Sequence, residues 1–105
     1  MEKIFTSVDS YHEIFTCIIE NIAKFQIVTF DASNCKTFAL LLKTVIEYFR
    51  DNNVYYVIQY IQKTDVEFFN KSEITYYNNN TIIAKTNIDY LIDEVINALN
   101  IKLIL

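Results

Sequence analysis

A chain of 105 residues that is 52% hydrophobic and 15% aromatic can build one domain with one modest core, and it is too apolar to be disordered. Its net charge of −4 argues against nucleic-acid binding, which needs a basic face over the phosphates. No apolar run reaches the roughly 20 residues of a membrane helix, and Ser7, Asp9, Ser10, His12 and Glu13 interrupt any secretory leader, so a cytoplasmic, intracellular protein is expected.

Gly and Pro are both absent, where average usage gives about seven and five. Ile, Asn, Lys, Phe and Tyr are abundant instead, the mark of an AT-rich genome. Any position with positive φ is therefore expected at Asn or Asp. Two cysteines, Cys17 and Cys35, are too few for a disulfide scaffold. With a lone His12 and no CxxC pair, no metal site and no resident cofactor are expected.

In chain order, Lys3 to Thr6 reads as a short leading strand. Tyr11, Ile14, Phe15, Ile18, Ile19 and Ile22 then follow a helical period, with Ser10 and Glu13 as a capping box. Phe25 to Phe30 is a second strand, and Asp31 to Asn34 a polar loop. A helix stripe follows at Phe38, Leu41, Leu42, Val45, Ile46 and Phe49, capped by Asn34 or Ser33. Val54 to Ile61 is almost wholly apolar, as a central strand buried on both faces would be. Thr64 to Lys71 allows a short helix with Asp65 near its start. Ile74 to Tyr77 and Thr81 to Ala84 flank Asn78, Asn79 and Asn80, which can supply the left-handed geometry of a hairpin turn. Ile88 to Leu99 is the closing helix, begun by Asn87 or Asp89.

The expected order is β-α-β-α-β-(α)-β-β-α over residues 1–105: a single α/β domain with a mixed sheet and helices on both faces. Cys35 stands at the joint between the second strand and the second helix. A thiol in the first turn of a helix feels the positive end of its dipole, which favours the thiolate.

The order, and the run Ile27-Val28-Thr29-Phe30-Asp31-Ala32-Ser33-Asn34-Cys35-Lys36, resemble the thioredoxin family along nearly the whole chain. Asn53-Val54-Tyr55-Tyr56-Val57 looks like the start of that family's central strand, and Ile74 to Asn80 like its later strand and turn. The resemblance implies a three-layer α/β/α fold with Cys35 as the nucleophilic thiol. Asn34, Lys36, Ser72, Glu73 and Ile74 would line the binding groove. Two registers are open: Cys35 stands for the family's first cysteine, with Phe38 in place of the second, or for its second, with Ala32 in place of the first. The first keeps the strand-to-cysteine spacing and is preferred. The CxxC pair is missing, and the cis-proline position falls near Ser72.

A dithiol resolves its own mixed disulfide, whereas a single thiol needs an outside one such as glutathione. The resemblance therefore implies at most a weak monothiol disulfide oxidoreductase. The alternative is a non-catalytic interaction module that holds a protein or peptide partner by backbone pairing near Ser72 to Ile74. A third reading, a subunit of a larger assembly, uses an exposed patch that includes Phe68 and Phe69. The oligomeric state is left open. His12 is expected to be exposed, and Tyr55, Tyr56, Tyr60, Tyr76 and Tyr77 to alternate between core and surface.

Overall fold

The computed structural model describes residues 1–99. Six strands form one mixed sheet: β1 (Glu2–Thr6), β2 (Glu13–Ile19), β3 (Ile22–Thr29), β4 (Tyr56–Gln62), β5 (Glu73–Tyr76) and β6 (Thr81–Asn87). The helices are α1 (Cys35–Asp51) and α2 (Ile88–Leu99). Short 3-10 helices cover Ala32–Asn34 and Lys63–Phe69. The sheet order is β1-β2-β3-β4-β6-β5; β3 and β4 are parallel, joined through α1, and every other pair is antiparallel.

The helix expected over Tyr11 to Ile22 is instead the hairpin of β2 and β3. Glu13–Ile19 buries Ile14 and Thr16 with a strand's period of two, and its β-branched and aromatic residues suit a pleated surface. The helical stripe arose because Phe15 and Ile19 face the opposite side and are apolar too. The Ser10–Glu13 capping box does not form. Ile19 pairs with Ile22 across a two-residue turn in which Glu20 takes φ 60°, the sign that type I′ and II′ turns demand. Ser10 also has positive φ, so of the three such residues only Asn53 is of the expected type. Left-handed φ costs a Cβ-bearing residue about 1–2 kcal/mol, less what glycine loses in chain entropy. Glu20→Gly is thus expected to raise the unfolding free energy by about 1 kcal/mol, read as a Tm rise of roughly 4–8 °C for a domain of this size.

The α1 stripe is buried as its period requires: Phe38, Leu41, Leu42, Val45, Ile46 and Phe49 all face inward. Its C-terminus closes as a Schellman motif: Val54 N–H donates to Phe49 O at 2.8 Å and Asn53 N–H to Arg50 O at 3.1 Å. Asn53 holds the left-handed position at φ 58°, where glycine is usual. At the other end, Asn34 makes no capping bond to α1. Asp31 serves the 3-10 turn instead, accepting from Ser33 N–H at 2.9 Å. Asn87 Oδ1 caps α2 by accepting from Asp89 N–H at 2.8 Å. The β5–β6 turn contains no positive φ; Asn78 Oδ1 holds it by accepting from the Asn80 and Thr81 N–H groups.

Both helices lie on the same face of the sheet. Strand residues Phe5, Ile14, Ala23, Phe25 and Val57 share one core cluster with the α1 stripe and with Ile88, Leu91 and Val95 of α2. The architecture is two layers, not the expected three. Once residues 11–22 pair as strands, no element among the described residues remains for the other face. β4 is interior, between β3 and β6, as expected, but it is buried on one face only, since Tyr56 and Tyr60 are exposed on the other. No helix among the described residues is long and apolar enough to cross a membrane.

Candidate functional site

The joint before α1 is held from below by His12. Contrary to the sequence expectation, this side chain is fully buried at 0% exposure. Asp31 N–H donates to His12 Nδ1 at 3.3 Å, so Nε2 carries the proton and donates to Asn34 O at 2.8 Å. The ring packs against Phe30 and Phe38, with centroids at 5.5 and 5.3 Å. Both nitrogens are spent on backbone, so His12 offers no base to the neighbouring thiol.

Asp9 pins the β1–β2 loop, which carries His12, to the helix. Its Oδ1 accepts from Ser7 Oγ at 2.6 Å and from Tyr11 N–H at 3.2 Å, and its Oδ2 from Thr37 Oγ1 at 2.5 Å. These bonds, Ser7 first and Thr37 next, lower its pKa from 3.8 to about 2. The Ser33 N–H likewise lowers the Asp31 pKa. A depressed carboxylate stabilises the fold above its unfolded value and loses that contribution as pH falls through its folded value. Acid unfolding monitored by circular dichroism is therefore expected to steepen below pH 3.8 toward about 2, and Asp9→Asn to flatten that limb.

Cys35 is the first residue of α1, half-buried, with Sγ donating to Ala32 O at 3.0 Å. Cys17 lies on β2, half-buried, and both thiols are free. Asn34 turns its side chain to Asp31, with Nδ2 donating at 3.0 Å, and Lys36 is exposed. Among the described residues no group of three or more His, Cys, Asp or Glu could hold a metal ion.

Ser72, Glu73 and Ile74 lie elsewhere, at the start of edge strand β5. Two strands, β6 and β4, stand between β5 and β3, a separation of about 14 Å at the usual strand spacing. The two halves of the expected groove do not meet. The Ser72 hydroxyl donates to Glu94 Oε2 at 2.6 Å and lies 2.6 Å from Thr86 Oγ1, within the molecule. Phe69 is buried and Phe68 half-buried, so they form no exposed patch; the tyrosines 55, 56, 60, 76 and 77 are all exposed.

Two features could not be read from the chain. The first is the sheet face turned away from the helices. It carries Ile4 (59% exposed), Ile19 (62%), Tyr56 (44%) and Tyr60 (54%) beside half-buried Phe15, Ile58 and Ile83. The second is a fork in the sheet. β3 and β4 pair only at Ile22–Tyr56, Ala23–Val57 and Lys24–Ile58. Beyond that, β3 stays paired with β2 as far as Thr29, and β4 with β6 as far as Gln62. The gap between them is a cavity of about 630 Å³. No protein-family model matches the sequence, and no curated protein matches it.

Proposed function

We propose that the chain is a non-catalytic interaction module that meets a protein partner with the uncovered face of its sheet. The observation that carries this reading is the row of exposed Ile4, Ile19, Tyr56 and Tyr60 on a face with no second layer. A one-sided sheet ordinarily presents polar residues to water, as Lys24, Gln26 and Lys85 do on this face, and the large apolar side chains exposed among them favour a contact surface. Catalysis has less support. His12 is committed to backbone, and the other cysteine, Cys17, lies on the opposite face of the sheet, so it is not placed to resolve a mixed disulfide at Cys35.

The test places a photo-cross-linking amino acid at Ile19 or Tyr56, with exposed Glu47 of α1 as control. The expected result is a discrete heavier adduct in native lysate from the two sheet positions and none from Glu47. No adduct from the sheet positions, or equal adducts from all three, overturns the reading.

A second reading has its own support: a degenerate thioredoxin-like domain acting through a single thiol, with glutathione as outside reductant. Cys35 opens a 17-residue helix that follows a strand, and it keeps part of its surface in water. Reduction of a model disulfide in the presence of glutathione tests it. This reading expects glutathione-dependent disulfide reduction that Cys35→Ser abolishes, and no such turnover in the wild type rejects it.

A further inference from the structure

We propose that the fork between β3 and β4 binds an extended peptide strand, apolar at alternate positions and acidic between them. This rests on the interaction-module reading and adds a site and a ligand class to it.

The backbone argues first. Among the described residues, Phe25–Ile27 and Thr29 of β3 pair only with β2, around a bulge at Val28, and Gln59–Gln62 of β4 only with β6. Their facing edges carry N–H and C=O groups that lack sheet partners on the fork side among the described residues, and such groups seek partners. Native sheets protect their outer edges, but these two edges lie inside the sheet, aimed at one gap. A strand is the ligand that answers both with one repeating pattern of donors and acceptors. Four or five residues extend about 13–17 Å, and the cavity of about 630 Å³ falls within the usual range for ligand sites.

The walls argue for alternation. On the helix side the cavity is lined by Phe25, Ile27, Ile61, Phe69, Val95 and Leu99. On the open side it is lined by Phe15, Lys24, Gln26 and Tyr60. Successive side chains of an inserted strand would face these two walls in turn. Inward positions select apolar side chains. Gln59, only 6% exposed, adds a polar point: its Nε2 donates to Thr86, and its Oε1 has no partner among the described residues.

Charge argues for the outward positions. Lys24 faces Cys17 on one side and Ile58 on the other, so no carboxylate opposes it across the strands. The one ion pair among the described residues is Arg50–Asp89, far along α1. An acidic side chain at the open mouth would meet Lys24, whereas Asp65 at the other lining wall disfavours an acid there.

The probe is the capped peptide acetyl-Val-Glu-Val-Glu-Val-amide, titrated into the 15N-labelled full chain. Amide shifts are expected at Phe25–Thr29 and Gln59–Gln62, with hydrogen exchange there slowed at least tenfold at saturation. Replacing both Glu by Lys in the peptide, or methylating its valine nitrogens, is expected to weaken binding at least tenfold. Lys24→Glu, an exposed change that leaves the core intact, is expected to reverse the preference between the Glu and Lys peptides.

Shifts confined to the outer edges, Glu2–Thr6 or Glu73–Tyr76, overturn the proposal. So does absence of binding at millimolar peptide. Fork amides already protected in the free chain and unresponsive to peptide mean that the gap is filled from within the chain, which also overturns it. Loss of peptide binding with cross-linking at Ile19 and Tyr56 retained defeats the fork alone. Loss of both defeats the interaction module.

Discussion

His12→Ala is expected to lower the unfolding free energy by about 3–4 kcal/mol, the sum of an emptied core site and one orphaned backbone donor. The imidazole is fully buried between Phe30 and Phe38, which themselves meet edge to face at 4.9 Å. Removing it opens a void that this aromatic pair cannot close without leaving its geometry. It also strands Asp31 N–H and takes one donor from Asn34 C=O, which keeps Thr37 Oγ1 at 2.9 Å. Each buried unpaired group costs about 1–3 kcal/mol. His12→Phe separates the two contributions: it fills the void and leaves Asp31 N–H unpaired, so about 1–2 kcal/mol of the loss should persist. Urea titration with an unchanged m-value reads both variants. A second readout is local. Because His12 holds the carbonyl just before Cys35, loosening it should fray the start of α1 and speed alkylation of Cys35 in the folded protein. A loss under about 1 kcal/mol for His12→Ala would show that the imidazole does not brace the joint.

Much of the chain was legible where one physical signal stood alone. The α1 stripe reads as a helix because Lys36, Lys43, Thr44, Glu47 and Arg50 fill most of the remaining positions and water takes that side. β4 was legible as interior from its apolar run, and Asn53 and Asn87 took places that their backbone chemistry suits. Residues 11–22 were not legible, because both sides of β2 are apolar: Ile14 and Ile18 face the core while Phe15 and Ile19 face out. Those four residues satisfy a helical period as well as a strand's. What decides between them is long-range pairing with β1 and β3, which no local window contains. The same ambiguity hid the candidate interaction face, since its residues had been assigned to a helix stripe. His12 was hidden for a different reason. A lone histidine between polar residues reads as solvated, and its partners lie 19 and 22 positions away. The fork is a property of register, visible only once three strands are placed.

Glu94→Ala is expected to cost about 2–4 kcal/mol, unusual for a charged residue on a helix, because this carboxylate is 2% exposed and ends a buried hydrogen-bond chain. Its Oε1 accepts from Lys71 N–H at 3.0 Å and its Oε2 from the Ser72 hydroxyl at 2.6 Å. The Ser72 proton is thereby committed, so Thr86 must donate across the 2.6 Å contact to Ser72 Oγ. Thr86 Oγ1 in turn accepts from Gln59 Nε2 at 3.3 Å. Every donor in the series Gln59, Thr86, Ser72 points toward Glu94. The carboxylate sets that direction, since it alone in the series only accepts. Glu94→Gln has nearly the same shape but one acceptor oxygen for two donors, and its amide adds a donor where none is wanted. It should recover the packing and still lose about 1–3 kcal/mol. Equal stability of Glu94→Gln and wild type would mean that the charge is not what the chain requires. The chain runs from α2 through the start of β5 to β6 and β4, so it fixes Gln59 at the wall of the fork. In the Gln variant, peptide affinity at the fork should fall while cross-linking at Ile19 and Tyr56 stays as in wild type, because those side chains lie outside the series.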